Sequence, residues 1–132
     1  MPAGALSRIV VVLVGTKHAG NLGSVARAMS NVGLDQLRLA GPRCSRDGEA
    51  LRMARSRGRD ILAKARTYPD LRSALRGVHR VVGTTARTGG YRTEVSTPRA
   101  LAPEIVHIAA RSRVAIVFGP EDTGLVDDDL LL

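Results

Sequence analysis

The residue types that can do chemistry concentrate in three glycine-containing loops, residues 15–24, 83–90 and 119–124. In the first, Gly20-Asn-Leu-Gly-Ser-Val-Ala-Arg27 sets Asn21, Ser24 and Arg27 at steps of three. On a helix these share one face near its amino end, where free backbone N–H groups favour an anion, so a phosphate fits there. Helix capping alone also accounts for Asn21 and Ser24. Arg27 sits beside Ala26, Ala28 and Met29 and requires a carboxylate partner or a path to solvent. Two familiar phosphate motifs fail on the same residues. Gly15-Thr-Lys-His-Ala-Gly20 opens like a P-loop but continues Asn21-Leu22, where Lys and Ser or Thr are needed. Gly20-Asn-Leu-Gly23 is only the last half of a dinucleotide fingerprint, with no acidic residue at a suitable strand end further on. His18, His79 and His107 lack metal-ligand spacing, and no metal is expected.

The elements around these loops read as alternating strands and helices. Residues 8–14 are a β-branched run ending at Gly15, the pattern of a strand buried on both faces. Residues 21–32 place Leu22, Val25, Ala26, Met29 and Val32 on a helical face that stops at Gly33. A short strand is expected at 36–39. Ser45 or Asp47 then caps a helix reaching about residue 55, and a second helical piece spans 58–65. Residues 66–68 form a brief strand, 69–76 a helix with Pro69 in its first turn and Gly77 after its end, 80–84 a strand, 98–111 a helix despite Pro103, and 114–118 a further apolar strand. The spacing predicts a single α/β domain over 1–132, with a parallel sheet, right-handed crossovers and helices on both faces. Ligands of such sheets bind beyond the carboxyl ends of the strands, where all three loops lie.

Composition narrows the function classes. The chain carries +8, with 18 arginines among its 20 basic residues, and five of its twelve acids fall in the last twelve positions. Such an arginine excess fits a polyanion partner, and Arg52, Arg55, Arg57 and Arg59 form one candidate surface for it. The longest strictly apolar run, residues 9–14, is far short of the roughly 20 residues of a membrane span, so no membrane partner is expected. The amino terminus has no separate apolar segment followed by a cleavage site. A lone cysteine, Cys44, permits no internal disulfide and suits a reducing compartment, so a cytoplasmic location is expected.

Three stretches, Val14-Gly-Thr-Lys-His-Ala-Gly-Asn-Leu-Gly-Ser-Val-Ala-Arg-Ala-Met29, Val82-Gly-Thr-Thr-Ala-Arg87 and Val117-Phe-Gly-Pro-Glu-Asp-Thr-Gly-Leu125, together resemble the SPOUT-class RNA 2′-O-ribose methyltransferases. The branch most resembled modifies tRNA in the anticodon loop. The resemblance implies an α/β-knot fold with a carboxyl-terminal trefoil knot that holds S-adenosylmethionine (SAM), and a homodimer that completes the site. It implies transfer of methyl from SAM to a ribose 2′-hydroxyl of tRNA, at a pyrimidine of the anticodon loop. Ribosomal RNA as substrate, a non-catalytic RNA-binding member of the fold and a nucleotide-binding regulator are the alternatives. It assigns Asn21, Ser24 and Arg27 to catalysis. Thr84, Thr85, Ala86, Gly119, Glu121, Gly124 and Leu125 fall to the cofactor wall, and His18, Asn21, Arg27 and Arg87 to RNA. Arginine keeps its proton at neutral pH, so Arg27 is expected to orient the hydroxyl or a phosphate rather than to remove a proton. Asp122 has no assigned role. The family's third motif would lie beyond Leu132, so a chain truncated before the knot closes is expected.

Overall fold

The computed structural model describes residues 4–84 and 98–121. A 3-10 turn (Leu6–Arg8) leads into β1 (Ile9–Val14), followed by α1 (Ala19–Val32), β2 (Gln36–Ala40), α2 (Glu49–Lys64), β3 (Arg66–Tyr68), α3 (Leu71–Ala74), β4 (Arg80–Gly83), α4 (Pro98–Ala109) and β5 (Val114–Phe118). All pairings are parallel and the strand order is β3-β2-β1-β5-β4.

The periodicity of β1 explains its central place. Val11 and Leu13 pack with α1 and α2, while Val10 and Val12 pack on the opposite face with Leu71 and Ala74 of α3. A strand apolar at every position is stable only where both faces are covered. Helix α4 returns to the α1 and α2 side, where Ala109 packs with Ile9 and Val114. The helices α1, α2 and α4 belong to connections running toward the β3 edge, and α3 to the one running back. Opposite directions on opposite faces are what a single, right-handed crossover sense requires.

The contact between α1 and α2 is close because small residues meet there. Gly23 and Ala26 of α1 face Ala50, Ala54 and Gly58 of α2, and a Cβ on Gly58 would lie 3.1 Å from the Arg27 backbone nitrogen. The two helical pieces expected between residues 45 and 65 are one helix with a break at Arg55 (φ 59°, ψ −162°). Arg59 donates from Nε to the Leu51 carbonyl across that break, at 2.9 Å. The expected caps are corrected: the helix starts after Gly48, and Ser45 and Asp47 bond to each other instead, with the Asp47 N–H donating to Ser45 Oγ at 3.0 Å. The helix expected to hold Pro69 in its first turn starts later: Asp70 is the N-cap of α3 and accepts from the Ser73 N–H at 2.8 Å.

Part of the arginine excess is structural. Arg8 donates to the Ala109 and Ala110 carbonyls at the end of α4, and Arg38 to Ala74 and Arg76 at the end of α3. Arg46 donates to Leu62 at 2.8 Å and Ala65 at 2.6 Å at the end of α2, and to Thr67 Oγ1 at 3.3 Å. A cation on these orphan carbonyls satisfies acceptors that the helix cannot, and complements its dipole. Arg46→Ala is therefore expected to destabilise the fold by about 1–3 kcal/mol, read as a lower urea midpoint at unchanged slope.

Candidate functional site

In a parallel sheet ligands enter beyond the carboxyl ends of the strands, and here β1 and β5 end side by side at the middle of the order β3-β2-β1-β5-β4. The loops after β1 and β5 meet there. Gly15, at φ +60°, presses against Pro120: a Cβ on it would stand 3.1 Å from the proline Cγ. The neighbouring residue, Glu121, reaches back across the crevice. Its carboxylate accepts from the Lys17 N–H (3.0 and 3.2 Å), the His18 N–H (2.9 Å) and Asn21 Nδ2 (3.2 Å).

These bonds decide the electrostatics of the loop. Burial tends to raise the Glu121 pKa, but the backbone bonds from Lys17 and His18 and the Asn21 amide outweigh it and hold the carboxyl down at about 2. The anion position expected at the head of α1 is thus taken by a carboxylate of the chain itself. Glu49 lies over the same turn, with its Oε1 2.9 Å from where a Cβ on Gly20 would be. The sign of the pH effect follows from the lowered pKa. The clamp contributes fully above the ordinary glutamate pKa of about 4.5 and is lost as pH falls toward about 2. In an NMR titration the Lys17 and His18 amide shifts should therefore move near pH 2. Movement centred on pH 4.5 would show that the clamp is absent.

Asn21, Ser24 and Arg27 all lie exposed on α1, and Asn21 is held by Glu121. Neither Ser24 nor Arg27 caps the helix, whose N-cap is His18 without a side-chain bond. The Arg27 side chain makes no hydrogen bond or ion pair among the described residues. The path to solvent, not a carboxylate partner, is what accommodates it.

On the β4 side, Thr84 turns both its N–H (2.9 Å) and its Oγ1 (3.0 Å) to the Val117 carbonyl. It therefore ties the end of β4 to β5, and neither donor is free for a ligand. Gly119 is half-buried, and Phe118 leaves 42% of its surface open at the rim. Thr85, Ala86, Arg87, Asp122, Gly124 and Leu125 lie outside the described residues. No cluster that could hold a metal occurs among the described residues. No described helix is long and apolar enough to cross a membrane.

Sequence reasoning did not bring Glu121 to Asn21, because the two are 100 positions apart and no local pattern links them. It also missed Cys44 beside the loop. Burial raises its thiol pKa above the ordinary value and the Glu121 charge adds to this.

Comparison with known proteins agrees with this arrangement. Residues 8–131 match the model of the SpoU rRNA Methylase family. The chain is 44% identical over 126 residues to the tRNA (cytidine/uridine/adenosine-2′-O-)-methyltransferase TrmJ of Pseudomonas aeruginosa, covering 95% of this chain and 49% of that protein. A probable methylase family protein from Haemophilus influenzae superposes with a TM-score of 0.87 at 35% identity, over 96% of this chain and 52% of that one. TrmJ from Z. mobilis superposes with a TM-score of 0.83 at 37% identity, over 91% and 53%. The chain spans about half the length of these relatives. With the motifs in order along the chain, the loops joined at the β1–β5 crevice and the family match running from residue 8 to residue 131, this chain belongs to the SpoU rRNA methylase family and is similar within it to TrmJ.

Proposed function

We propose that the chain transfers a methyl group from SAM to a ribose 2′-hydroxyl of tRNA, at a pyrimidine of the anticodon loop, acting as a homodimer in the cytoplasm. The observation that carries this reading is the Glu121 clamp, which holds Asn21 at the crevice while Arg27 stands exposed on the same helix. The name of the Pseudomonas relative supplies the substrate class.

The crevice fits SAM in the character of its lining. At the ends of β4 and β5 it offers backbone and the open face of Phe118, an uncharged surface suited to a flat nucleoside. The Glu121 carboxylate is drawn to the α1 loop and away from that lining. Gly119 and Thr84 would border the group, with Thr85, Ala86, Gly124 and Leu125 completing the wall. When bound, SAM supplies a methyl group on a sulfonium, already an activated electrophile.

The chain's own residues must then make a ribose hydroxyl reactive. Arg27 places positive charge where the oxygen becomes negative and holds the adjoining phosphate, a contribution that grows toward the transition state. Asn21, fixed by Glu121, and Ser24 orient the ribose beside it, and His18 and Arg87 extend the contact to the RNA. Alignment of this kind converts binding into rate.

Incubation with methyl-labelled SAM and either tRNA or ribosomal RNA tests the substrate. Label in tRNA is expected. Label confined to ribosomal RNA, or none with RNA bound, would favour one of the alternatives.

A further inference from the structure

A second basic feature lies at the other end of the sheet. A cleft of about 700 Å³ opens at the amino-terminal ends of β2 and β3, and neither Asn21 nor Glu121 lines it. Four parts of the fold supply its cations: Arg38 from β2, Arg57 and Lys64 from α2, Arg66 from β3, and Arg113 just before β5. Asp35 and Asp60 also line it, and neither forms an ion pair among the described residues.

What distinguishes four of these cations is that they are uncommitted. Arg8, Arg46 and Arg59 are held by carbonyls. Arg57, Lys64, Arg66 and Arg113 are exposed, and their side chains make no hydrogen bond or ion pair among the described residues. Arg38 forms the floor, fixed by the Ala74 and Arg76 carbonyls and lying 5.9 Å from the Tyr68 ring centre. Burial lowers its pKa, Tyr68 opposes this, and the charges of Arg113 and Arg66 lower it further. These guanidiniums therefore stand in one another's field. Five cations share the cleft with two carboxylates, and the excess positive charge is unfavourable until a polyanion joins it.

We propose that this cleft is a second RNA-contact surface, where Arg57, Lys64, Arg66 and Arg113 grip the phosphate backbone of the substrate apart from the Asn21–Glu121 crevice. The proposal rests on the reading of the substrate as RNA. An extended backbone fits better than a single small anion, because the cations come from separate elements around an open cleft instead of converging on one point. Contacts of this kind set the register of an RNA without reading its sequence.

The test is anisotropy titration of an unmodified tRNA transcript over a salt series, with the chain and two double variants, Arg66→Gln/Arg113→Gln and Arg57→Gln/Lys64→Gln. Each double variant is expected to bind on the order of tenfold more weakly at about 0.1 M salt. Its plot of log affinity against log salt should be shallower by about 1.4–1.8, at an unchanged thermal midpoint. If both bind with the parent affinity and slope, the proposal is overturned. It is equally overturned if the variants abolish binding of inorganic phosphate, followed by calorimetry, yet leave RNA binding intact. If the parent chain shows no salt-dependent RNA affinity, the RNA reading itself falls.

Discussion

Replacing Arg27 by alanine is expected to lower methyl transfer by a factor on the order of 10² or more while leaving SAM affinity nearly unchanged. Arg27 is exposed on α1 and makes no side-chain bond or ion pair among the described residues, so its removal breaks no contact that holds the described fold. Its effect is then expected on bound RNA, as charge that matters most when the ribose oxygen becomes negative. Steady-state kinetics with calorimetry separate the outcomes. A loss in kcat with intact SAM binding supports the assignment, whereas an equal loss of SAM affinity would move Arg27 into the cofactor wall. Arg27→Lys should recover only part of the rate, because a single ammonium cannot reproduce the planar fork.

The second large effect is on stability. Gly23→Ala drives a Cβ into the Ala50 carbonyl oxygen and places it 2.8 Å from Met53 Cβ. The first of these is backbone and cannot swing aside, so α1 and α2 must separate. Overpacking costs about 1–3 kcal/mol and sometimes more, against a helix-propensity gain of about 1 kcal/mol. A net loss of about 2 kcal/mol or more is expected by denaturant unfolding. Gly20→Ala is the control, since its Cβ would meet only the tip of the Glu49 side chain, which can rotate away. That variant should be neutral within about 0.5 kcal/mol or slightly stabilised. Equal losses in the two variants would show that the α1–α2 contact is not the cause.

These expectations depend on features that differ in how far the sequence discloses them. The strands at 66–68 and 114–118 stand where their apolar and turn residues put them, and the helix ending at Gly33 does so with the left-handed cap expected, φ 85°. Local pattern suffices for these because one face or one turn residue specifies each. The α1–α2 contact was half legible. Ala50, Ala54 and Gly58 recur every four residues, a small-residue stripe that signals close approach, but its partner can be named only from the fold. The caps of α2 were not legible, because Ser45 and Asp47 satisfy each other as readily as they would a helix end. The arginines mislead most. Composition assigns them one role, yet Arg8, Arg38 and Arg46 close helix ends, and Arg59, within the candidate cluster at 52–59, bridges a helix break. Only Arg57 of that cluster lines the basic cleft. Sequence patterns report local demands, and both the Glu121 clamp and these carbonyl contacts are long-range.

The most direct test of methyl transfer to ribose uses alkali. RNA treated with the chain and methyl-labelled SAM is hydrolysed in base, which cleaves beside every free 2′-hydroxyl. The label is expected in an alkali-resistant dinucleotide whose 5′ member is a pyrimidine from the anticodon loop. Label recovered on the base of an alkali-released mononucleotide would contradict transfer to ribose.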